Sequence, residues 1–424
     1  DPFLGRAPYR PSNRTMTDVS PLSTAPSRRH VAILITLCAI AYLPAWLSFF
    51  VKDDIALLIS ARPDLISALN HSWPGGFFRP TAELAISLQY HFFGFTPLPY
   101  HLVSFSAHLA AALLVYRIFG LFPQYSSSNF VAAALFALHP LNTETVSWIS
   151  GQMNLYSALC ALTTLYLLAS SRALAALLPV FLLGLGFYEN FLFVLPLWAA
   201  LCLFHEQFRN SLRPLSLLLL GGFTLTYLYW RFAVLNLGGG YYQAAASLKS
   251  SLTNAAYYIY LLAGGSAIGG RIIHYQPMDI ATHFFDVFTP LFILNSLVAI
   301  GYLFYLRRDG WPSLRTIALP LAWVILTLLP ALLLPERPRR LAYLAVPGYA
   351  MAMSQVFYYL QQKTRPGLLV ARAGIALYLL VLVSTLFLRN RDWQQAGNLE
   401  RSLSAAIAPD CREVVFDVPN LLGD

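Results

Sequence analysis

The chain has 424 residues, of which 57% are hydrophobic and only 11% are charged. Charged residues make up about a quarter of a typical soluble domain, so this composition excludes a soluble globular protein and indicates an integral membrane protein. The formal net charge of +9 does not indicate a nucleic-acid partner, because the basic residues stand singly or in pairs at the ends of apolar runs.

The four cysteines show neither CxxC nor Cys/His spacing. Cys38, Cys160 and Cys202 lie within apolar runs, where a cysteine is most often a small core residue. We therefore expect neither a disulfide framework nor a cysteine metal site, and Cys411 does not change this expectation.

Residues 1–30 are rich in Pro, Ser and Arg and lack apolar periodicity, which is typical of a flexible tail. Arg28 and Arg29 precede an apolar run at 31–51 that is long enough to span a bilayer. Because this run is too long for a signal peptide, we predict a retained helix. The positive-inside bias predicts that its N-terminus is cytoplasmic.

Further apolar segments extend the predicted transmembrane domain over residues 31–389, with about eleven helices in all. A cytoplasmic N-terminus then places most loop arginines on the cytoplasmic side, as the positive-inside bias requires. The additional segments are 99–120, 130–148, 153–170, 173–188, 190–205, 215–236, 288–306, 316–335, 341–360 and 368–389.

The glycine-rich stretch 237–287 is predicted to be a long external loop with one or two half-inserted helices. If its segment 253–270 crosses the bilayer, the orientation of every later span reverses, and the sequence leaves this open. Residues 390–424 are predicted to be external. Their VVFDV run is typical of a strand that begins a small domain.

An acidic pair, Asp53-Asp54, directly follows the first apolar run. Placing a charged carboxylate in hydrocarbon costs several kcal/mol, so the pair is either solvated at the membrane interface or has a functional role. A carboxylate at the mouth of a helix bundle can act as a general base. The loop that begins here, residues 52–98, has apolar residues at helical spacing and a break at Pro63. This pattern predicts short amphipathic helices that lie on the membrane or rest on the bundle.

The predicted external face collects several other polar side chains. The planar guanidinium group of arginine binds two phosphate oxygens at once. Three arginines lie close together on the external side, where the positive-inside bias disfavours them, and a bound phosphate group would account for their position. The alternative is ion pairing with Glu336 together with lipid headgroups. The residues on this face are Arg79, His139, Asn142, Glu144, Glu189, Arg337, Arg339 and Arg340.

Histidines and tryptophans within the apolar runs have mainly structural interpretations. His101 and His108 lie two turns apart on one helical face, which indicates helix-interface histidines that neighbouring groups satisfy. The tryptophans are predicted to be interfacial anchors, with stacking on a sugar ring as the alternative. They are Trp46, Trp73, Trp148 and Trp230.

A series of motifs occurs in one consistent order. It begins with DD after the first run, FFRPTAELAISLQYHFFGFTPLPYHLVSFSAHLAAALLVY and LHPLNTETVSWISGQMNLYSAL, and continues with YENFLFVLP, YLYWRFAVLNLGG, ERPRRLAYLAVPGYA and RNRDWQQAGNLERSLSAAIAP. This order resembles the transmembrane region of the O-mannosyltransferases that carry tetratricopeptide repeats, and of their bacterial relatives. Those proteins are C-type (GT-C) glycosyltransferases. The resemblance covers roughly residues 45–409, and HP-N-TE-V-WISG is its most specific part.

The resemblance implies an all-α, GT-C-like polytopic enzyme, with the bacterial inner membrane as its expected location. Such an enzyme moves a sugar from a polyprenyl-phosphate donor to an acceptor hydroxyl on the external face. Asp53 or Asp54 maps onto the general base, and a single displacement would invert the anomeric carbon. The departing phosphate requires cations, for which the candidates are Arg79, Arg337, Arg339 and Arg340. The pocket-lining candidates are His139, Asn142, Glu144 and Glu189.

We expect no covalently bound cofactor. The lack of a further carboxylate cluster beside Asp53-Asp54 argues against a resident divalent metal. The implied partners are membrane lipids, the polyprenyl-phosphate sugar and an acceptor protein or glycan of unknown identity. Partner subunits in a membrane complex are left open, and no nucleic acid is expected.

Two departures from the family pattern favour an alternative. Relatives often carry a charged stretch resembling GRKDL where this chain has GQMNL at 151–155, and KE where it has Tyr188-Glu189. The missing charges fit either a substrate of different charge or a catalytically degenerate GT-C scaffold subunit of a membrane complex. A transporter is disfavoured, because the sequence shows no internal repeat and its acidic residues cluster at one face.

Overall fold

A computed structural model describes most of the chain. Within the described residues the chain is helical and contains no β-strand, which together with the apolar composition confirms the predicted all-α membrane class. Residues 1–25, most of the 237–287 loop and the VVFDV run lie outside the described residues. Those described are 26–73, 76–122, 125–170, 174–204, 208–209, 214–236, 247–266, 284, 288–309, 314–334, 336–362 and 367–406.

The described residues form sixteen α-helices. In chain order they are α1 (Arg28–Trp46), α2 (Asp54–Ser60), α3 (Leu65–Leu69), α4 (Pro80–Phe93), α5 (Pro97–Gly120), α6 (Asn129–Ala137), α7 (Thr143–Ser147), α8 (Gln152–Ala169), α9 (Leu174–Phe187), α10 (Val194–Phe204), α11 (Pro214–Tyr229), α12 (Leu248–Leu262), α13 (Pro290–Asp309), α14 (Leu314–Leu332), α15 (Val346–Gln362) and α16 (Gly367–Ala406). Short 3₁₀ turns lie at Pro140–Asn142, Ile149–Gly151, Glu189–Phe193 and Arg339–Ala345, and a π-turn at Trp230–Val234.

Four of the described helices are long and apolar enough to cross a membrane. They are α1, α5, α11 extended by its π-turn, and the part of α16 from Arg372 to Ala406. Shorter apolar helices account for other predicted segments, and the total of about eleven spans remains a prediction.

Two predicted spans are broken in the structure. In the segment predicted at 130–148 the first helix ends at Ala137 and a second begins at Thr143, because Pro140 lacks an N–H and disfavours helical backbone at His139. The segment predicted at 341–360 starts with a 3₁₀ turn, and its α-helix begins at Val346. Both breaks occur where predicted site residues are found.

Helix α16 is much longer than the predicted span 368–389. Its 40 residues extend over about 60 Å, twice the roughly 30 Å of a bilayer's hydrocarbon core. Beyond residue 389 it contacts the chain that follows α1, because the Ser48 hydroxyl donates to the Trp393 carbonyl at 3.1 Å. Gly397 allows this approach, since a Cβ there would lie 2.5 Å from the Phe49 nitrogen.

The core is centred on α5, which packs against α1, α6 and α8. His108 in α5 connects three elements: its Nδ1 lies 2.7 Å from the Tyr343 hydroxyl and its Nε2 lies 2.9 Å from the Ala137 carbonyl. Both ring nitrogens therefore have partners, as the helix-interface interpretation of His108 predicts.

The first loop forms the predicted short helices. Helices α2 and α3 are separated at Pro63, and Leu58 is buried whereas Ile59, Leu65 and Ile66 are exposed. In α4 the buried Glu83 accepts from the Arg62 N–H at 3.3 Å and lies 2.8 Å from the His71 ring. These contacts fix the loop to α4, while several of its apolar side chains stay exposed.

The chain between α7 and α8 makes a close turn at Gly151. A Cβ at this position would lie 2.5 Å from the Glu144 carbonyl oxygen, which is backbone and cannot easily move. Only glycine therefore fits the turn that brings the end of segment 144–151 back against its beginning.

The Gly151→Ala variant tests this constraint. We expect a loss of about 1–3 kcal/mol in stability, measured by thermal unfolding in detergent. The matched control is Gly221→Ala in α11, where a Cβ meets nothing within 4 Å and where alanine should stabilise the helix by roughly 0.5–1 kcal/mol. Equal effects in the two variants would contradict the packing argument.

Candidate active site

Residues 144–154, here called the hub segment, bring most of the predicted site residues together. Its side chains reach the first loop, α4, α5, the 3₁₀ turn at Arg339–Ala345 and α16. The 3₁₀ turn at Ile149–Gly151 gives it a compact path, so successive residues contact different elements. The motif with the most specific family resemblance is therefore the part that connects the site.

The acidic pair contacts the hub segment through Ser150. The Ser150 N–H donates to Asp54 Oδ1 at 2.9 Å, and the Val51 N–H donates to Asp54 Oδ2 at 3.0 Å. The Ser150 hydroxyl lies 2.8 Å from Asp54 Oδ1 and 3.0 Å from Asp53 Oδ1. Asp54 is 1% exposed, whereas Asp53 is exposed to solvent.

The two neighbouring carboxylates thus differ in environment. Burial raises the pKa of Asp54 to about 7, and the nearby Asp53 charge adds to this, although the hydrogen bonds from Val51 and Ser150 lower it. Desolvation therefore outweighs three favourable hydrogen bonds. Asp54 changes charge near neutral pH at the junction of the first loop and the hub segment.

This pKa shift predicts an unusual pH dependence of stability. The folded state holds the Asp54 proton more tightly than the unfolded state, whose pKa is near the ordinary 3.8. Stability should therefore fall as pH rises from about 4 to about 7, by up to about 4 kcal/mol, and then level off.

Thermal unfolding of the Asp54→Asn variant, measured as a function of pH, tests this prediction. The variant should show no fall in stability between about pH 4 and about pH 7. The Asp53→Asn variant is the control and should retain it. An identical pH profile in wild type and Asp54→Asn would show that another group is responsible.

Trp148 forms an aromatic and cationic stack beside the acidic pair. It stacks on Trp393 of α16 with ring centroids 6.2 Å apart. Lys52 Nζ lies 5.3 Å from its ring centroid and the Arg340 guanidinium lies 5.1 Å from it. Trp148 is buried, so its prediction as an interfacial anchor is wrong; packing against α16 draws it into the protein.

Glu144 forms ion pairs with two of the predicted phosphate-binding arginines. Arg340 Nη1 lies 2.7 Å from Glu144 Oε1, and Arg339 Nε lies 3.7 Å from Glu144 Oε2. Arg337 points elsewhere, because its Nε donates to Asn254 Oδ1 of α12 at 2.6 Å. The three predicted arginines therefore divide into one pair at the hub segment and one residue at α12.

Arg79 belongs to a second cluster. Its Nη2 lies 3.1 Å from Glu189 Oε2, and Arg231 Nη1 lies 3.0 Å from Glu189 Oε1. Arg79 also stacks on Tyr188, with 3.9 Å between guanidinium carbon and ring centroid. Arg231 is not among the sequence candidates; the available signal is a lone arginine within the predicted span 215–236.

The shared carboxylate of Glu189 predicts a large cost for its removal. The Glu189→Gln variant leaves two largely buried guanidinium groups with no negative charge between them, so we expect a loss of about 3–5 kcal/mol. Adding Arg231→Gln should recover part of this loss. Additive losses in a double-mutant cycle, measured by thermal unfolding, would show that the pair is not coupled.

Gln152 lies where the family resemblance predicts a charged stretch, and it is fully buried. Its Nε2 donates to the Tyr100 carbonyl at 3.0 Å and to Ser104 Oγ at 2.8 Å, and its Oε1 accepts from Gln89 at 3.0 Å. The next residue, Met153, has its sulfur 3.6 Å from Arg79 Nη1. The neutral residue thus lies in a neutral hydrogen-bonded network.

His139 and Asn142 are buried at the break after α6. His139 Nε2 lies 3.0 Å from the Leu262 carbonyl and its Nδ1 accepts from the Leu141 N–H at 3.2 Å. Asn142 Nδ2 donates to the Phe136 carbonyl at 2.6 Å. Both side chains satisfy backbone groups that the broken helix leaves unpaired. Within the described residues, no three His, Cys, Asp or Glu side chains form a possible metal site.

These features define an all-α membrane protein with carboxylates and arginines gathered around one connecting segment. Its sequence is similar to protein O-mannosyl-transferases. Tmtc1 of Drosophila melanogaster is 33% identical over 141 residues, which are 30% of this chain and 16% of that protein. A protein O-mannosyl-transferase of Caenorhabditis elegans is 29% identical over 222 residues, 46% of this chain and 31% of that protein.

A third relative, tmtc2 of Xenopus laevis, is 36% identical over 104 residues, 23% of this chain and 12% of that protein. These similarities confirm the predicted resemblance to the tetratricopeptide-containing O-mannosyltransferases. The chain spans less than a third of the length of the curated relatives it matches. No protein-family model matches the chain, and no solved structure matches it.

Proposed function

We propose that this chain is the membrane portion of a glycosyltransferase that moves a sugar, with mannose as the first candidate, from a polyprenyl phosphate to an acceptor hydroxyl. The reaction takes place at the external face of the membrane, which for a bacterial protein is the periplasmic face of the inner membrane. The proposal is supported by the named relatives and by one observation above the others: Ser150 of the hub segment hydrogen-bonds both carboxylates of the acidic pair.

Asp53 is the proposed general base. It is exposed and can reach an acceptor, whereas the oxygens of Asp54 accept from the Val51 N–H and from Ser150. Asp54 is therefore a positioning residue that fixes the first loop against the hub segment. General-base catalysis of this kind contributes about 10²–10⁴-fold to a rate.

The reaction is a single displacement with inversion. The acceptor oxygen forms a bond to the anomeric carbon as that carbon's bond to the phosphate oxygen breaks. The hydroxyl proton moves to the Asp53 carboxylate, and the bonding electron pair leaves with the polyprenyl phosphate. Negative charge grows on the departing phosphate, so a nearby cation favours the transition state. The arginine pair at Glu144 adjoins the hub segment and supplies such cations.

The Asp53→Asn variant tests the proposal. In vesicles containing radiolabelled polyprenyl-phosphate mannose and a membrane extract as acceptor, we expect transfer to protein to fall at least about 100-fold, because the base is lost. The unfolding temperature should hardly change, since Asp53 is exposed.

Asp64→Asn is the matched control, because Asp64 lies in the same loop and accepts from the Ser67 N–H at 2.8 Å. Asparagine caps a helix about as well as aspartate does, so this variant should leave both the unfolding temperature and transfer unchanged. Wild-type transfer by Asp53→Asn would refute the proposed base. A lack of transfer by the well-folded wild type, whatever labelled donor is supplied, would favour the degenerate scaffold subunit.

A further inference from the structure

Three side-chain oxygens are in contact where the first loop meets the hub segment. Ser150 Oγ lies between two carboxyl groups, 2.8 Å from Asp54 Oδ1 and 3.0 Å from Asp53 Oδ1. Both separations are hydrogen-bond distances between oxygens. A serine hydroxyl carries one hydrogen atom and can donate it fully to only one of the two oxygens. A second proton is therefore needed for both contacts to be full hydrogen bonds.

The surroundings of the two carboxyl groups decide where this second proton resides. Asp54 is buried, and its oxygens also accept from the N–H groups of Val51 and Ser150. Asp53 is exposed, so water solvates its charge. Ionisation costs least at the solvated group, and burial raises the pKa of Asp54 to about 7. Below neutral pH the proton is therefore on Asp54 and the negative charge is on Asp53.

We infer that Ser150 is a positioning residue for the proposed base Asp53 and that it acts through a single proton held by Asp54. The protonated Asp54 carboxyl donates to Ser150 Oγ, which turns the Ser150 hydroxyl toward Asp53 Oδ1. The Asp53 carboxylate is then fixed by one oxygen and directs the other at the acceptor hydroxyl. The inference rests on the proposed function and deepens it, because it assigns the groups that orient the base.

Loss of the Asp54 proton breaks this arrangement. The ionised, buried Asp54 gains more from the Ser150 hydroxyl than Asp53 does, since water can replace the hydroxyl at the exposed residue. The hydroxyl therefore turns to Asp54, and Asp53 Oδ1 is left 3.0 Å from an oxygen that offers it no hydrogen. The two neighbouring negative charges also repel each other. The base thus loses its fixed orientation as pH rises through about 7.

The charged groups around Asp54 come from its own loop, from α4 and from the hub segment. Helix α2, which begins at Asp54, packs against α4 and against the turn at Ile149–Gly151. The charged and titratable groups on these elements are Lys52, Asp53, Glu83, Tyr90, His91 and Glu144. Glu83 lies 2.8 Å from the His71 ring, and Glu144 lies 2.7 Å from Arg340. Asp53 is the neighbour whose charge raises the pKa of Asp54.

The pH dependence of transfer from radiolabelled polyprenyl-phosphate mannose tests the inference. Wild-type transfer should fall as pH rises through about 7, because the base loses its orientation. Ser150→Ala should transfer at least roughly tenfold more slowly at about pH 6, the effect of one lost hydrogen bond to a charged group, and should show no such fall. Ser150→Thr keeps the hydroxyl and should retain the wild-type profile. Ser150→Ala also keeps the buried Asp54, so a fall caused by lost stability would persist in it.

The matched control is Ser147→Ala. Ser147 is buried in the same segment, and its hydroxyl donates to Asn390 Oδ1 at 2.6 Å, an amide group that does not titrate. This variant should lose stability and keep the wild-type pH profile. A rise of wild-type transfer through about pH 7 would overturn the inference, since the ionised Asp54 would then assist Asp53 by its charge alone. An equal fall in wild type and Ser150→Ala would overturn it as well.

Infrared titration of the carboxyl groups tests the Asp54 proton without any transfer reaction. Wild type should show the C=O band of a protonated carboxylic acid that disappears as pH rises through about 7 and that is missing from Asp54→Asn. Lack of an Asp54-dependent band at about pH 5 would overturn the inference, because the carboxyl would then have no proton to donate.

The Asp53→Asn variant separates the two proposals. If it loses transfer while Ser150→Ala keeps the wild-type pH profile, the proposed base stands and the orienting role of Ser150 fails. If Asp53→Asn transfers normally, the proposed base is refuted and the orienting role falls with it, whereas the infrared band still decides whether Asp54 holds the proton.

Discussion

The buried carboxylate of Asp54 is the contact on which the arrangement of the site depends. It accepts hydrogen bonds from the backbone N–H groups of Val51 and Ser150, which lie on separate parts of the chain. These bonds hold the first loop against the hub segment and leave the neighbouring Asp53 at the surface. Because burial makes the ionised form costly, the same contact that positions the site is sensitive to pH near neutrality.

The arginines follow a common pattern, in which two guanidinium groups share one carboxylate. Glu144 serves Arg339 and Arg340, and Glu189 serves Arg79 and Arg231. A shared carboxylate lowers the cost of burying each guanidinium group. The surroundings of the two pairs differ: Arg339 of the Glu144 pair lines a small cavity, whereas Arg79 of the Glu189 pair lies against the rings of Phe77 and Tyr188.

Much of the local structure could be predicted from the sequence. Apolar runs indicated the membrane helices, and Pro63 indicated the division between the first two loop helices, because proline lacks an N–H and disfavours helical backbone at the residue before it. Pro140 also ends a helix, so the single helix predicted across it is wrong. Helix α16 is longer than predicted, because its residues after 389 are too polar for a hydropathy segment but still form a helix.

The sequence by itself determined the membrane class, the family resemblance and the set of candidate carboxylates and arginines. It could not decide between Asp53 and Asp54, since adjacent residues share the same local pattern. Only the tertiary structure separates them, through a hydrogen bond from Ser150, 96 positions away. In the same way it joins Arg340 to Glu144 across 196 positions. Burial and ion pairing depend on contacts between distant segments, and no local pattern encodes those contacts.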